Sequence, residues 1–103
     1  MEINGEKVVV LGLGKSGIAA ARFLKRLGAR VVASDAKPQE QLKEFGSLGG
    51  EGIELVLGKH PLEMLRGAVL VVVSPGVPDS IPFLQEARRR GIQIWSEIEL
   101  AYR

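Results

Sequence analysis

The chain contains no cysteine. Disulfides, thiolate zinc sites and cysteine nucleophiles are therefore excluded, and the absence fits a reducing cytoplasm. Histidine is nearly as scarce. His60 is the single one, it sits between Lys59 and Pro61, and no second ligand type clusters beside it. It is expected to be a surface or loop residue without a catalytic or metal role. Charge of one sign is only slightly in excess, because 14 Lys and Arg face 12 Asp and Glu. A nucleic-acid partner would call for a basic stripe, and only Arg88-Arg89-Arg90 forms a basic run. Those three fall in the last turn of an expected helix, where cations complement the dipole. Long apolar runs are missing as well. Ala68 to Val73 falls far short of the ~20 residues of a bilayer span. The polar start, Met1 to Lys7, lacks the apolar core and cleavage pattern of a signal peptide. The expectation is one cytoplasmic domain over residues 1–103, without membrane insertion and without a nucleic-acid partner.

What is present is an alternation of short β-branched runs and helical periods. Val8 to Leu11 has the composition of a strand buried on both faces. From Ser16 to Leu27 the period turns helical, with Gly17, Ala20, Ala21, Leu24 and Leu27 on one face and Arg22, Lys25 and Arg26 on the other. Gly28 is placed to end that helix. Val31 to Ala33 is a second strand closed by Ser34-Asp35. Pro38 to Leu48 reads as a short polar helix or loop, and Ile53 to Leu57 as a third strand. Leu62, Met64 and Leu65 suit one helical turn after Pro61. Val69 to Val73 is the clearest buried strand, stopped by Ser74-Pro75-Gly76.

Pro82 opens a further helix with Phe83, Leu84 and Ala87 inward and Gly91 as its stop. Ile92 to Trp95 is a fifth strand, with Trp95 expected to pack, in part against something beyond this chain. Ser96-Glu97-Ile98-Glu99 has the Ser-x-x-Glu form of a capping box for a last helix. Strands and helices in this order predict an α/β fold, a Rossmann-like doubly wound five-stranded parallel sheet, most simply in the order 3-2-1-4-5.

Gly12-x-Gly14-x-x-Gly17 follows the first strand and opens the first helix, which is the context a phosphate-binding turn requires. Gly12 permits the tight turn, Gly14 lets backbone approach a phosphate, and Gly17 lets helix and strand pack closely. N–H groups near Lys15 and Ser16 lie at the positive end of the helix dipole. The same stretch is not a Walker A loop, because Val9 stands where that motif needs its first glycine. Asp35 ends the second strand, where an acid accepts hydrogen bonds from a ribose in dinucleotide-binding domains. A capping or turn aspartate before Pro38 is the lesser alternative. On spacing alone the ligand would be NAD.

The later segments point elsewhere. Val72-Val73-Ser74-Pro75-Gly76-Val77-Pro78, Ile81-Pro82-Phe83-Leu84 with Ala87-Arg88, Gly91 to Ile94 and Ser96-Glu97-Ile98-Glu99-Leu100, taken with Val9 to Gly17, closely resemble the N-terminal domains of Mur ligases. The resemblance is to the branch that adds D-glutamate to UDP-N-acetylmuramoyl-L-alanine. It covers nearly the whole chain, Pro38 to Pro61 being its least distinctive part.

The resemblance implies that the domain holds the UDP part of that substrate. Gly14, Lys15, Ser16 and Gly17 would grip the diphosphate through backbone N–H groups and the Ser16 hydroxyl. Asp35, Ala36 and Lys37 would surround the uracil, the carboxylate suiting the imide N–H and the Lys37 stem the ring face. Family members often carry Thr and Arg at the last two positions. Ala36 thus lacks one possible hydrogen bond, and Lys37 stacks less well than a planar guanidinium. Ser74, Pro75 and Gly76, just after the fourth strand, would lie against the uridine. The resemblance further implies that the fragment binds without catalysing. No catalytic or metal-ligating residue falls within it. The last helix leads toward an ATP-binding domain, and ATP and magnesium belong to the full-length enzyme. The alternative from spacing is an NAD(P)-binding domain of an oxidoreductase or nucleotide sensor.

Overall fold

The computed structural model describes residues 3–37 and 48–101. The expected polar helix or loop lies outside these residues except for Leu48, which is fully buried. Five strands, β1 (Lys7–Leu11), β2 (Arg30–Asp35), β3 (Glu54–Leu57), β4 (Ala68–Val73) and β5 (Gln93–Ser96), form one sheet in the order β3-β2-β1-β4-β5. Every pairing is parallel. Among the described residues three α-helices accompany them: α1 (Lys15–Arg26), α2 (Pro82–Arg89) and α3 (Glu97–Ala101). A 3-10 turn at Leu62–Leu65 supplies the helical turn expected after Pro61.

The valine-rich strands are buried because both sheet faces are covered. Side chains alternate across a strand, so Val8 and Val10 of β1 face one way and Val9 and Leu11 the other. The first face packs with Val31, Ala33, Leu70 and Val72 against Ile18, Ala21 and Leu24 of α1 and Leu100 of α3. The second packs with Val32 and Val71 against Phe83, Leu84 and Ala87 of α2 and against Met64 and Leu65. Burying one such side chain stabilises the fold by about 1.5–3 kcal/mol. Trp95 is 8% exposed and belongs to the first of these clusters, so it finds its packing inside this chain.

Two sequence expectations for α1 need correction. Leu27 is 45% exposed. The helix ends at Arg26, Leu27 is its C-cap with ψ near 0°, and its side chain leaves the apolar face there. Gly28 then takes φ +93° and donates to the Lys25 carbonyl at 3.0 Å, the left-handed stop for which glycine is suited. Ile18, which the periodicity passed over, is buried instead.

Candidate functional site

The chain runs β1-β2-β3 toward one edge of the sheet and then crosses to β4-β5 on the other side of β1. The crevice at the carboxyl ends of β1 and β4 is the topological switch point, where open α/β sheets bind ligands. Strand register decides which residues meet there. Leu11 pairs with Ser34 on β2 and Val73 on β4, and Val73 pairs with Ser96 on β5. One residue further on, Asp35, Gly12, Ser74 and Glu97 stand side by side along the sheet edge.

Gly12 begins the turn with φ +94°, and a Cβ there would meet the Ser74 side chain at 2.8 Å. Its N–H donates to the Ser34 carbonyl at 2.8 Å. The next N–H, of Leu13, donates to Oδ2 of Asp35 at 2.7 Å. Gly14 is the N-cap of α1, and its own residue offers no side-chain cap. The first-turn N–H groups are left without intrahelical partners, and no acidic side chain occupies that turn. Around Gly14 a Cβ would find open space, whereas at Gly17 it would lie 1.9 Å from the Gly12 carbonyl oxygen. The tight turn at Gly12 and the close packing at Gly17 are those their spacing predicts.

Ser74 closes the other side. Its N–H donates to the Leu11 carbonyl at 3.0 Å. Its hydroxyl donates to the Glu97 carboxylate and lies 3.2 Å from the Gly12 carbonyl oxygen. Glu97 thus does more than complement the dipole of α3: it anchors the residue that follows β4.

Between these walls lies a cleft of about 480 Å³. Gly14, Ser16, Asp35, Ala36, Lys37, Ser74, Pro75 and Gly76, eight of the ten residues singled out from the sequence, line it together. Lys15 is exposed at the start of α1 and Gly17 is buried beneath the turn. Neither lines the cleft, and Gly17 packs tightly against the Gly12 carbonyl. A second cavity of about 470 Å³ adjoins the first, sharing Ser16, Ser74, Pro75 and Val77 and reaching Ser96, Glu97 and Ile98.

Asp35 proves to be a structural residue as well as a lining one. Besides Leu13, it accepts the Lys37 N–H on Oδ1 at 2.8 Å. A carboxylate has about four lone-pair sites, so both oxygens can still accept from a ligand. His60, expected to be a bystander, lines the same cleft. It is a loop residue, yet its Nδ1 lies 2.7 Å from the Ser34 hydroxyl and its ring is tilted against Phe83 with centroids 6.3 Å apart. Burial lowers its pKa from 6.5, against the opposing charge of Asp35. No spacing rule could have placed it, since Ser34 and Phe83 lie 26 and 23 residues away. Among the described residues, no group of three or more acidic or histidine side chains is arranged to hold a metal ion. No helix among them is long and apolar enough to cross a membrane.

The family model for the Mur ligase MurD-like N-terminal domain matches residues 6–96. The chain belongs to that family. It is 48% identical to UDP-N-acetylmuramoylalanine–D-glutamate ligase of Shouchella clausii over 98% of its own length and 22% of that protein's. It therefore spans about a fifth of such relatives. Among solved structures, a pseudomurein peptide ligase type C from Methanothermus fervidus superposes with a TM-score of 0.78 at 27% identity, over 96% of this chain and 20% of that one. UDP-N-acetylmuramate-alanine ligase from Thermotoga maritima gives 0.74 at 25% identity, over 93% and 21%. Membership in the MurD-like family does not favour the dinucleotide reading of the glycine spacing. Ser74 to Pro78, part of one of the segments that carried the resemblance, lines the cleft.

Proposed function

We propose that the cleft binds the uridine diphosphate end of UDP-N-acetylmuramoyl-L-alanine. In that reading the chain is the substrate-holding part of a longer, cytoplasmic, ATP-dependent ligase that joins D-glutamate to this substrate for peptidoglycan synthesis. One observation carries the reading: the uncapped N-terminus of α1 opens onto the cleft that Asp35–Lys37 and Ser74–Gly76 line. A diphosphate is the ligand such an end accommodates, since N–H donors and the dipole both favour an anion.

The backbone N–H groups of Lys15 and Ser16 hold the diphosphate, and the Ser16 hydroxyl adds a donor. The open space at Gly14 gives phosphate its approach to the backbone. Asp35, Ala36 and Lys37 take the uracil, and Ser74, Pro75 and Gly76 pack against the uridine. The adjoining cavity at Ser96–Ile98 lies on the side of Ser16 and Ser74, in line with a substrate that continues beyond its diphosphate. In the longer protein, ATP with magnesium supplies the phosphoryl group that activates the alanyl carboxylate toward the D-glutamate amine. This chain's part is to bind and orient; the remaining domains of the same protein are its partners.

Calorimetric and NMR titration of the chain tests this. UDP and UDP-N-acetylmuramoyl-L-alanine are expected to bind and to shift the amides of Lys15 and Ser16, while NADH leaves them unmoved. Binding of NADH with no response to either uridine ligand overturns the reading.

A further inference from the structure

Ser34 is fully buried and is the only buried polar or charged residue among those described. Its hydroxyl has one proton and two neighbours, the Lys59 carbonyl oxygen at 2.8 Å and Nδ1 of His60 at 2.7 Å. A carbonyl can only accept, so the hydroxyl proton goes to Lys59 and the proton of the second contact belongs to Nδ1. A neutral imidazole carries a single N–H, which leaves Nε2 as a bare acceptor. The lowered pKa of His60 keeps the ring in that neutral form at pH 7. Phe83 packs on the ring from α2. Among the described residues Nε2 has no protein partner, and it is not sealed away as an unsatisfied buried atom.

The ring lines the cleft with Asp35, Ala36 and Lys37 and feels the charge of Asp35. Both Asp35 oxygens already accept backbone N–H groups. A neutral acceptor in this cleft suits a ligand that also carries a diphosphate, because it recognises a donor without adding negative charge.

The geometry points to His60 as a specificity-determining residue of the nucleoside end. Held in its Nδ1–H tautomer by Ser34, it accepts through Nε2 a hydrogen bond from the bound uridine, either from a ribose hydroxyl or from the imide N–H. The inference rests on the uridine diphosphate reading of the cleft.

Titrations of the chain with UDP, 2′-deoxy-UDP, 3′-deoxy-UDP and N3-methyl-UDP test it, using wild type, His60→Ala and His60→Gln. One hydrogen bond in a partly buried site corresponds to roughly tenfold in affinity. His60→Ala is expected to bind UDP about that much more weakly, while His60→Gln, which keeps an acceptor at similar reach, retains most of the affinity. One analogue should bind wild type more weakly than UDP yet match UDP in His60→Ala, and that analogue names the donor. Equal losses for every analogue in wild type and His60→Ala overturn the inference, as does unchanged UDP affinity in His60→Ala; the UDP reading survives both. Failure of wild type to bind UDP removes both. The tautomer needs no variant: long-range 1H–15N correlation should show His60 protonated at Nδ1, and a proton found on Nε2 overturns the inference whatever the variants do.

Discussion

The N–H of Leu13 donates a 2.7 Å hydrogen bond to the carboxylate of Asp35, 22 residues further along the chain. This contact ties the phosphate turn after β1 to the end of β2. It also explains why an acid is useful at that position before any ligand arrives. The carboxylate that faces the cleft is the one that holds the turn in shape, so the diphosphate end and the uracil end of the proposed site are mechanically one unit.

Replacing Asp35 with Ala leaves the part-buried Leu13 N–H unpaired. Hydrogen bonds to a charged group contribute about 1.5–3 kcal/mol, and a loss of that order is expected in urea unfolding. Asp35→Asn keeps an oxygen for Leu13 and should lose about half as much. UDP affinity falls in both, because the turn loosens. Unchanged stability in Asp35→Ala would show that the tie contributes nothing.

Gly17 and Gly14 separate packing from ligand approach. A Cβ at Gly17 lies 1.9 Å from the Gly12 carbonyl oxygen, so Gly17→Ala must push α1 away from the turn. A cost near the upper end of overpacking penalties, about 3 kcal/mol, is expected. Gly14 has nothing within 4 Å of a Cβ and an ordinary φ of −72°. Gly14→Ala should cost less than about 1 kcal/mol yet weaken UDP by about tenfold, ~1.4 kcal/mol. Thermal melts and calorimetry on the two variants check this, and the reverse ranking of stabilities would refute the assignment.

Much of this was legible in the sequence because it depends on local pattern. Val8–Leu11 and Val69–Val73 announce doubly covered strands, and the alternation with helices leaves few topologies. The observed order β3-β2-β1-β4-β5 is the simplest of them. The glycine turn was legible for the same reason, since its three glycines are spaced within six residues between a strand and a helix; that a Cβ at Gly12 would meet Ser74 was not. What escaped depends on register between distant strands. The Ser74–Glu97 contact follows from Val73 pairing with Ser96, and His60 reaches Ser34 because β3 lies beside β2. No periodicity encodes either. Leu27 failed for a local reason: a periodic face continues on paper past the residue where the helix stops.

The capping box at the start of α3 is reciprocal. The Ser96 N–H donates to Glu99 Oε1 at 2.9 Å, and the Glu99 N–H donates to Ser96 Oγ at 3.1 Å. Ser96→Ala should cost about 0.5–2 kcal/mol. Because each side chain serves the other's backbone, Ser96→Ala and Glu99→Ala are expected to be non-additive in a double-mutant cycle. Strict additivity would mean that the two bonds act independently. Since Glu97 is the first residue of α3 and holds Ser74, loosening this cap should also lower UDP affinity.

Acid stability offers a test on α2, which covers the opposite sheet face from α3. Glu86 accepts from Nε of Arg89 at 2.8 Å and from Nε of Arg90 at 2.7 Å, and these two hydrogen bonds lower its pKa from 4.5 to about 2. A carboxylate N-terminal to its basic partners at these helical spacings is the favourable orientation. The folded pKa lies below the unfolded one, so the contribution is complete above about pH 4.5. As pH falls from there toward about 2, the unfolded chain takes up the proton first and stability is lost. Below about 2 nothing of it remains. The cluster lies at the surface, so its contribution is small and screened by salt. Urea unfolding at low ionic strength should therefore show a steeper fall between pH 4.5 and 2 in wild type than in Glu86→Gln, and 1 M salt should shrink the difference. Parallel pH profiles at low salt would mean that the two arginines do not hold the Glu86 proton off in the folded state.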